Sequence, residues 1–381
     1  MRFGLFRNFD RVLFFLMLGL IIIGLAVQYS LSLAVKLSTG TSEPGLNNFT
    51  KQCIFVGIGL ILFFAISLID FRFIKVSAYW VYILTILLLI GVLLFGQTLR
   101  GVKGWLNLGF FSLQPTEIAK LVAIIVLARF WQEVRQPVRV HNLLVSFLLI
   151  APLFLLIVRQ PDLGSAIIIL LLWLSIIFLA DKNKKHVIGL LIFIILISVL
   201  AWSFFFKDYQ RERILTYLNL SSDPLGRGYQ ITQSVIAVGS GQFFGRGFGF
   251  SPQSQLRFLP ASETDFVFAS FAEQFGLFGC LILLGLNLFL LYRLIRISQT
   301  AYDNFSLVSV LGVGLYLFFQ LMINVGMNMG LMPVIGIPLP FISYGGSSLL
   351  VSMIALGLVE SIIVHQPFAK KRGDGIIEIG N

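Results

Sequence analysis

The sequence predicts an all-α polytopic membrane protein with about ten transmembrane helices, and three observations carry that reading. Hydrophobic residues make up 57% of the 381-residue chain and charged residues only 12%, a balance outside the range of water-soluble domains. The mean hydropathy is +0.94. The apolar residues fall in discrete runs, each close to the roughly 20 residues that a bilayer's hydrocarbon core requires.

The first run, 12–29, follows Arg2, Arg7 and Arg11 in the manner of a signal peptide. It is long enough to span, and no small-residue cleavage site follows it, so it counts as the first helix. Further runs lie at 52–69, 77–95, 116–132, 143–158, 163–180, 186–206, 266–294, 305–330 and 347–364. Gly and Ser inside several of them permit close helix approach, and the helix around Gly312 and Gly314 offers such a face to a helix of another protein. The run after Phe266 is longer than a bilayer needs, which implies a tilted or projecting helix. No repeat is evident, and residues 1–381 read as one domain.

The basic residues orient the spans. Alternate segments hold Arg2, Arg7 and Arg11; Arg72 and Lys75; Arg129, Arg135 and Arg139; Lys182, Lys184 and Lys185; Arg293 and Arg296; and Lys370, Lys371 and Arg372. The short segments between them hold only Lys36, Lys51, Arg100, Lys103 and Arg159. Short cytoplasmic loops collect Lys and Arg, so both termini are expected in the cytoplasm, with 373–381 as a short tail. Residues 207–264 then form a large extracytoplasmic loop between helices 7 and 8. The net charge of +11 is spread over these loops rather than gathered on one face, which argues against nucleic acid as a partner. Cys53 and Cys280 both sit in apolar runs and the three His residues are scattered, so neither a disulfide framework nor a metal-ligand set is expected.

Four places could carry chemistry. Glu117 and Lys120 share one face at the start of the fourth span, where lone charges would be costly; they read either as a packing ion pair or as functional groups. Asp162, in the turn Arg159-Gln160-Pro161-Asp162, is placed to cap the sixth helix; capping alone accounts for it, with contact to ligand or a metal ion as the second reading. The stretch Gly239-Ser240-Gly241-Gln242-Phe243-Phe244-Gly245-Arg246-Gly247 fits neither standard phosphate-binding glycine motif. It reads as a flexible loop or as a backbone cradle that works with Arg246 on a diphosphate. Asp265 lies where the long loop meets an apolar helix, after Glu263 and Thr264. Thr264 or Asp265 can cap that helix, and a carboxylate at such a boundary can also serve as a general base. The loop around it carries Lys207, Arg211, Arg213, Arg227, Arg246 and Arg257 beside several Phe residues and Tyr229, a mixture suited to an anionic ligand with an apolar part.

Taken together, these stretches resemble the SEDS family of bacterial shape, elongation, division and sporulation proteins over essentially the whole chain. The matching motifs are Gln114-Pro115-Thr116-Glu117 with Lys120, Gln160-Pro161-Asp162-Leu163-Gly164-Ser165, Asp223-Pro224-Leu225-Gly226 with Gly228-Tyr229-Gln230, and Gln233-Ser234 with Gly239-Ser240-Gly241. Phe258-Leu259-Pro260, Thr264-Asp265-Phe266 and the run from Pro338 to Ser348 continue the series. Ser254-Gln255-Leu256-Arg257-Phe258-Leu259-Pro260 and Gly336-Ile337-Pro338-Leu339-Pro340 are more similar to the elongation subfamily, RodA, than to the division subfamily, FtsW. Three positions depart from the family: Gly104 before Trp105 where Arg is frequent, Gln242 in place of Gly, and Glu263 in place of His.

The resemblance implies a glycosyltransferase that polymerises lipid II into peptidoglycan glycan strands beside a class B penicillin-binding protein and the elongation machinery, in the bacterial inner membrane. Asp265 matches the family's essential loop aspartate, with Glu263 leaving the base shared or to be assigned between the two. Glu117, Lys120, Asp162, Arg246, Arg257 and Trp105 are expected to bind substrate. Lys or Arg, with or without a divalent cation, would stabilise the departing diphosphate. A lipid II flippase or other transporter, a noncatalytic scaffold and an FtsW-like division polymerase are the competing readings.

Overall fold

The computed structural model describes residues 8–39, 48–99, 102–107, 109, 112–135, 137–181, 183, 185–186, 188–190, 192, 215–217, 219, 226–256 and 258–366. Three long helices come first: α1 (Arg11–Thr39), α2 (Asn48–Leu68) and α3 (Phe71–Phe95). Strands β1 (Gln97–Leu99), β2 (Val102–Asn107) and β3 (Ser112–Leu113) then form a small antiparallel sheet in the order β1-β2-β3. Helices α4 (Pro115–Glu133), α5 (Val140–Arg159) and α6 (Leu163–Ala180) follow. Next come two shorter helices, α7 (Arg227–Ser240) and α8 (Pro252–Gln255), and three long ones, α9 (Val267–Gln299), α10 (Asn304–Asn328) and α11 (Gly346–His365).

The fold class matches the sequence reading. Eight of the described helices are long and apolar enough to cross a membrane, which makes this a multi-pass membrane protein. α4 is of similar length but carries Glu117, Lys120, Arg129 and Glu133, and it runs through the interior of the bundle. Most of the seventh predicted span, 186–206, lies outside the described residues, as do the 373–381 tail and residues 207–214, 218, 220–225 and 257 of the long loop.

Two elements were not anticipated. The sheet between α3 and α4 pairs Gln97 with Trp105 and Leu106 with Leu113, in a stretch whose apolar and aromatic side chains suit a half-buried ribbon. α7 lies inside the long loop, because Ile231, Ser234 and Ala237 recur at helical spacing and are buried.

α11 is the most enclosed span and packs chiefly against α2. Their approach is close enough that a Cβ on Gly357 would stand 2.8 Å from the Phe63 carbonyl oxygen. Gly312 serves in the same way inside the chain, where a Cβ would meet Ile124 of α4 at 2.4 Å. That stretch was expected to receive a helix of another protein. It is filled instead by α4, while Gly314 lies against Leu294 of α9, because the interior of the bundle has greater use for a small-residue groove.

The long run after Phe266 is not one continuous helix. α9 breaks at Gly276, whose φ of 64° and ψ of −166° are open in practice only to glycine. The break leaves carbonyls above it and amides below it without helical partners. The Gly-rich segment 242–247 supplies them: Arg246 N–H donates to the Glu273 carbonyl (2.9 Å) and Gly247 N–H to that of Gln274 (3.0 Å), while Leu277 and Phe278 N–H donate to the carbonyls of Gln242 (2.9 Å) and Phe243 (3.0 Å). A Cβ on Gly245, itself at φ 81°, would lie 2.1 Å from the Gln274 carbonyl oxygen. Arg246 and Gly247 N–H are thus donated to α9, and Gln242 and Gly245 N–H to the Gly239 and Gly241 carbonyls, so these four amides are not open to a diphosphate. The buried Glu273 secures the next turn, its Oε1 accepting from Gln253 N–H at 3.1 Å.

Gly276→Ala should cost about 1–3 kcal/mol, the range for a non-glycine residue forced into such a conformation. Gly285→Ala, lower on the same helix with nothing within 4 Å of its would-be Cβ, should be neutral or stabilising by roughly 0.5–1 kcal/mol. Thermal midpoints of the detergent-solubilised variants check both.

Candidate active site

At one face of the bundle the N-terminal ends of α4, α6, α9 and α11 meet the C-terminal end of α10. Pro115 opens α4 at a position where its missing N–H costs nothing, and Glu117 falls in the first turn, where a carboxylate complements the helix dipole. One turn on, Lys120 Nζ lies 2.7 Å from Glu117 Oε1, with both side chains almost completely buried. Tyr316 of α10 covers the pair: its hydroxyl is 3.4 Å from Glu117 Oε2, and its ring lies 5.8 Å from the Lys120 ammonium.

Asp162 does two things. Its Oδ1 accepts from Ser165 N–H at 3.0 Å, the expected cap of α6. Its Oδ2 accepts from Thr116 Oγ1 (3.0 Å) and Gln114 Nε2 (3.2 Å), which ties the start of α6 to the start of α4. The Ser347 hydroxyl accepts from Gln114 N–H at 2.9 Å and so joins α11 to the same corner.

The Asp265 end is assembled by its backbone. The Glu263 carbonyl accepts from Tyr344 N–H (2.8 Å) and from Gln28 Nε2 of α1 (2.9 Å). The Thr264 carbonyl accepts from Ser343 Oγ at 2.6 Å, and that of Asp265 from Asn324 and Asn328 Nδ2 at 3.0 and 2.9 Å. Asn328 Oδ1 also accepts from Ala269 N–H at 3.0 Å. The cap expected from Thr264 or Asp265 thus differs from the one observed: Phe266 is the N-cap residue and makes no side-chain bond, and a neighbouring helix furnishes the acceptor. The reason is geometric. The turn 261–266 is bent by Ala261 at φ 54° and closed by Thr264 and Phe266 N–H on the Ala261 carbonyl, which places Phe266 rather than Thr264 or Asp265 at the cap position.

The segment 335–337 links the two corners. A Cβ on Gly164, two residues past Asp162, would stand 2.7 Å from the Ile335 carbonyl oxygen, and one on Gly336 would stand 3.6 Å from Asp265 Oδ2. The start of α6, to which Thr116 is joined through Asp162, and the Asp265 carboxylate therefore border one short stretch of chain. Glu263 diverges from Asp265, its Oε2 accepting from Asn48 Nδ2 at the start of α2. Trp105 is half-buried on β2, and Arg246 is exposed beside the α9 break, its Nε 3.2 Å from the Ser240 carbonyl. Arg257 lies outside the described residues. Among the described residues, no three His, Cys, Asp or Glu side chains converge into a metal-ligand set.

Sequence reasoning missed Gln28, Asn324 and Asn328, which hold the carbonyls flanking Asp265. The signal was present: Asn324 and Asn328 are amides one helical turn apart inside an apolar run, where polar groups need partners.

The model of the FtsW, RodA and SpoVE family of cell cycle proteins matches residues 10–367. The peptidoglycan glycosyltransferase MrdB of Escherichia coli strain K12 is 39% identical over 316 residues, which cover 83% of this chain and 85% of MrdB. The probable peptidoglycan glycosyltransferase FtsW of Coxiella burnetii is 35% identical over 366 residues, 93% of this chain and 96% of that one. A solved peptidoglycan synthase complex, described as coordinating polymerization and crosslinking, contains a chain of TM-score 0.76 and 32% identity, with coverage of 94% and 99%. The crystal structure of the rod shape determining protein RodA of Thermus thermophilus gives a TM-score of 0.69 at 28% identity, with coverage of 94% and 98%. The chain belongs to the FtsW/RodA/SpoVE family of SEDS proteins.

Breaking the Glu117–Lys120 pair from one side leaves a buried charge alone. Glu117→Gln or Lys120→Met should each cost about 3–5 kcal/mol, and the double substitution far less. Thermal unfolding of the three variants in detergent reads the difference. A double variant that folds but does not polymerise glycan assigns the pair a part in the reaction.

Proposed function

We propose that this chain is a peptidoglycan glycosyltransferase that polymerises lipid II into glycan strands during cell elongation, with Asp265 as the general base. The observation that carries the reading is the fixing of the Glu263, Thr264 and Asp265 carbonyls by α1, α10 and residues 343–344, which sets the position from which the Asp265 carboxylate works. In the reaction, the acceptor sugar's 4-hydroxyl attacks the anomeric carbon of the donor and gives its proton to the Asp265 carboxylate. The bond from that carbon to the lipid diphosphate breaks, and the anomeric centre inverts as in an inverting glycosidase. Glu263 is a less suitable base, because its carboxylate is directed to Asn48 at the start of α2, whereas the Asp265 carboxylate stands beside Gly336. Asp162, Thr116 and the Glu117–Lys120 pair form the polar floor, and Trp105, Arg246 and Arg257 contact the sugar and the diphosphate. A divalent cation carried by the diphosphate would add to their charge.

The identity to MrdB supports the elongation role. The likeness to a synthase complex that couples polymerization to crosslinking supports a class B penicillin-binding protein as partner. Lys75 and Arg293 lie at the end of the bundle opposite Asp265, which supports cytoplasmic termini in the inner membrane and a site on the extracytoplasmic side.

Asp265→Asn keeps size and removes the base, so polymerisation of lipid II by purified protein should fall by a factor of roughly 10²–10⁴. Glu263→Gln should be milder. Normal polymerisation by Asp265→Asn together with loss in Glu263→Gln would move the base to Glu263. Loss of lipid II translocation with polymerisation intact would put a transporter in place of the enzyme.

Cysteine introduced at Ser222 should react with an impermeant maleimide in cells whose inner membrane is sealed. Labelling only after that membrane is permeabilised would invert the topology.

A further inference from the structure

The segment that fills the α9 break also presents a surface of its own. Phe243, Phe244, Phe248, Phe250, Leu256 and Phe258 are between 46% and 78% exposed, in a stretch that is mostly not helical. Its depth along α9 is fixed by the bonds that join Gln242 and Phe243 to Leu277 and Phe278. At the other end of that helix, Arg293 pairs with Asp10 and marks the far edge of the apolar span. Counting back about 20 residues, the number that crosses a hydrocarbon core of about 30 Å at 1.5 Å per residue, reaches Glu273. Tilt increases the residues needed and sets the break deeper still. The Phe cluster therefore stands at the near boundary of the hydrocarbon, where aromatic side chains settle.

Two further observations name the occupant. The cluster continues the lipid-facing surface of α9, on which Leu277, Phe278, Leu281 and Ile282 are exposed. No Asp or Glu occurs between Asp223 and Glu263, whereas Arg227, Arg246 and Arg257 all do. An exposed aromatic surface continuous with the lipid-facing side of α9, in a stretch without acids, fits the boundary between headgroups and acyl chains of a phospholipid leaflet.

We infer that the exposed rings of Phe243, Phe244, Phe248 and Phe250 form an aromatic anchor seated in the phospholipid leaflet on the Asp265 side. The anchor sets the height of the break, and with it the start of α9, relative to the phosphates of that leaflet.

The test places a nitroxide at Phe244→Cys in a Cys53→Ser, Cys280→Ala background, with the protein in nanodiscs of phosphatidylethanolamine and phosphatidylglycerol. Phe250→Cys is the second position, and Tyr302→Cys and Leu281→Cys mark water and acyl chain. At positions 244 and 250 the ratio of oxygen to nickel-chelate collisions should exceed that at Tyr302→Cys severalfold and fall short of that at Leu281→Cys. That corresponds to a depth of about 5–10 Å below the phosphates. Nickel accessibility equal to that of Tyr302→Cys would overturn the anchor, as would an immobile label that neither agent reaches, which would mean that protein covers this face.

Discussion

The fixing of three consecutive carbonyls at the start of α9 is the constraint on which the candidate site depends. Glu263, Thr264 and Asp265 give their carbonyl oxygens to Gln28, Tyr344, Ser343, Asn324 and Asn328, residues drawn from α1, α10 and the segment before α11. A carbonyl left unpaired in such surroundings would be costly, so these contacts act together. They require the ends of three spans to be level at one face, and the packing of α11 on α2 and of Gly312 on Ile124 brings those spans close. A side chain carried on backbone fixed at three successive peptides has little freedom beyond its own rotamers. That suits a base which must meet a hydroxyl at hydrogen-bond distance.

A second constraint is that charged groups inside the bundle find partners. Glu117 and Lys120 neutralise each other on one helix, and Asp162 is bonded to Ser165, Thr116 and Gln114. Polar groups near the site therefore sit where apolar helices would otherwise exclude them. The same logic operates at the opposite end, where Asp10 receives Arg293 and its N–H donates to Glu360 of α11 at 2.7 Å. Each end of the bundle is tied by polar contacts, while most of the length between is apolar.

Much of this was legible in the sequence. Apolar runs gave the spans because length and composition suffice when the solvent is a bilayer. The Glu117–Lys120 pair and the Asp162 cap followed from local spacing, which a helix converts directly into contact. What escaped notice was nonlocal. No local rule connects Gln28 with Glu263, or Asn328 with Asp265 and Ala269, across chain separations of that size. The break at Gly276 was hidden because Gly is frequent in membrane helices, and only the arrival of the 242–247 segment distinguishes this one. The Gly-rich stretch looked like a ligand cradle for the same reason: backbone amides that bind an anion and those that complete a broken helix have one sequence signature.

That broken helix also orders events during synthesis. Residues 242–247 leave the ribosome before 273–278, yet each group supplies the other's hydrogen bonds across the break. Translation proceeds from the N-terminus, so the Gly-rich stretch has to wait, its amides solvated, until the helix that will receive them has been inserted. The upper part of α9 can take its final form only after both pieces are on the membrane. Maturation of the site is later still, because Asn324, Asn328, Ser343 and Tyr344, which fix the carbonyls of residues 263–265, follow the break in the chain.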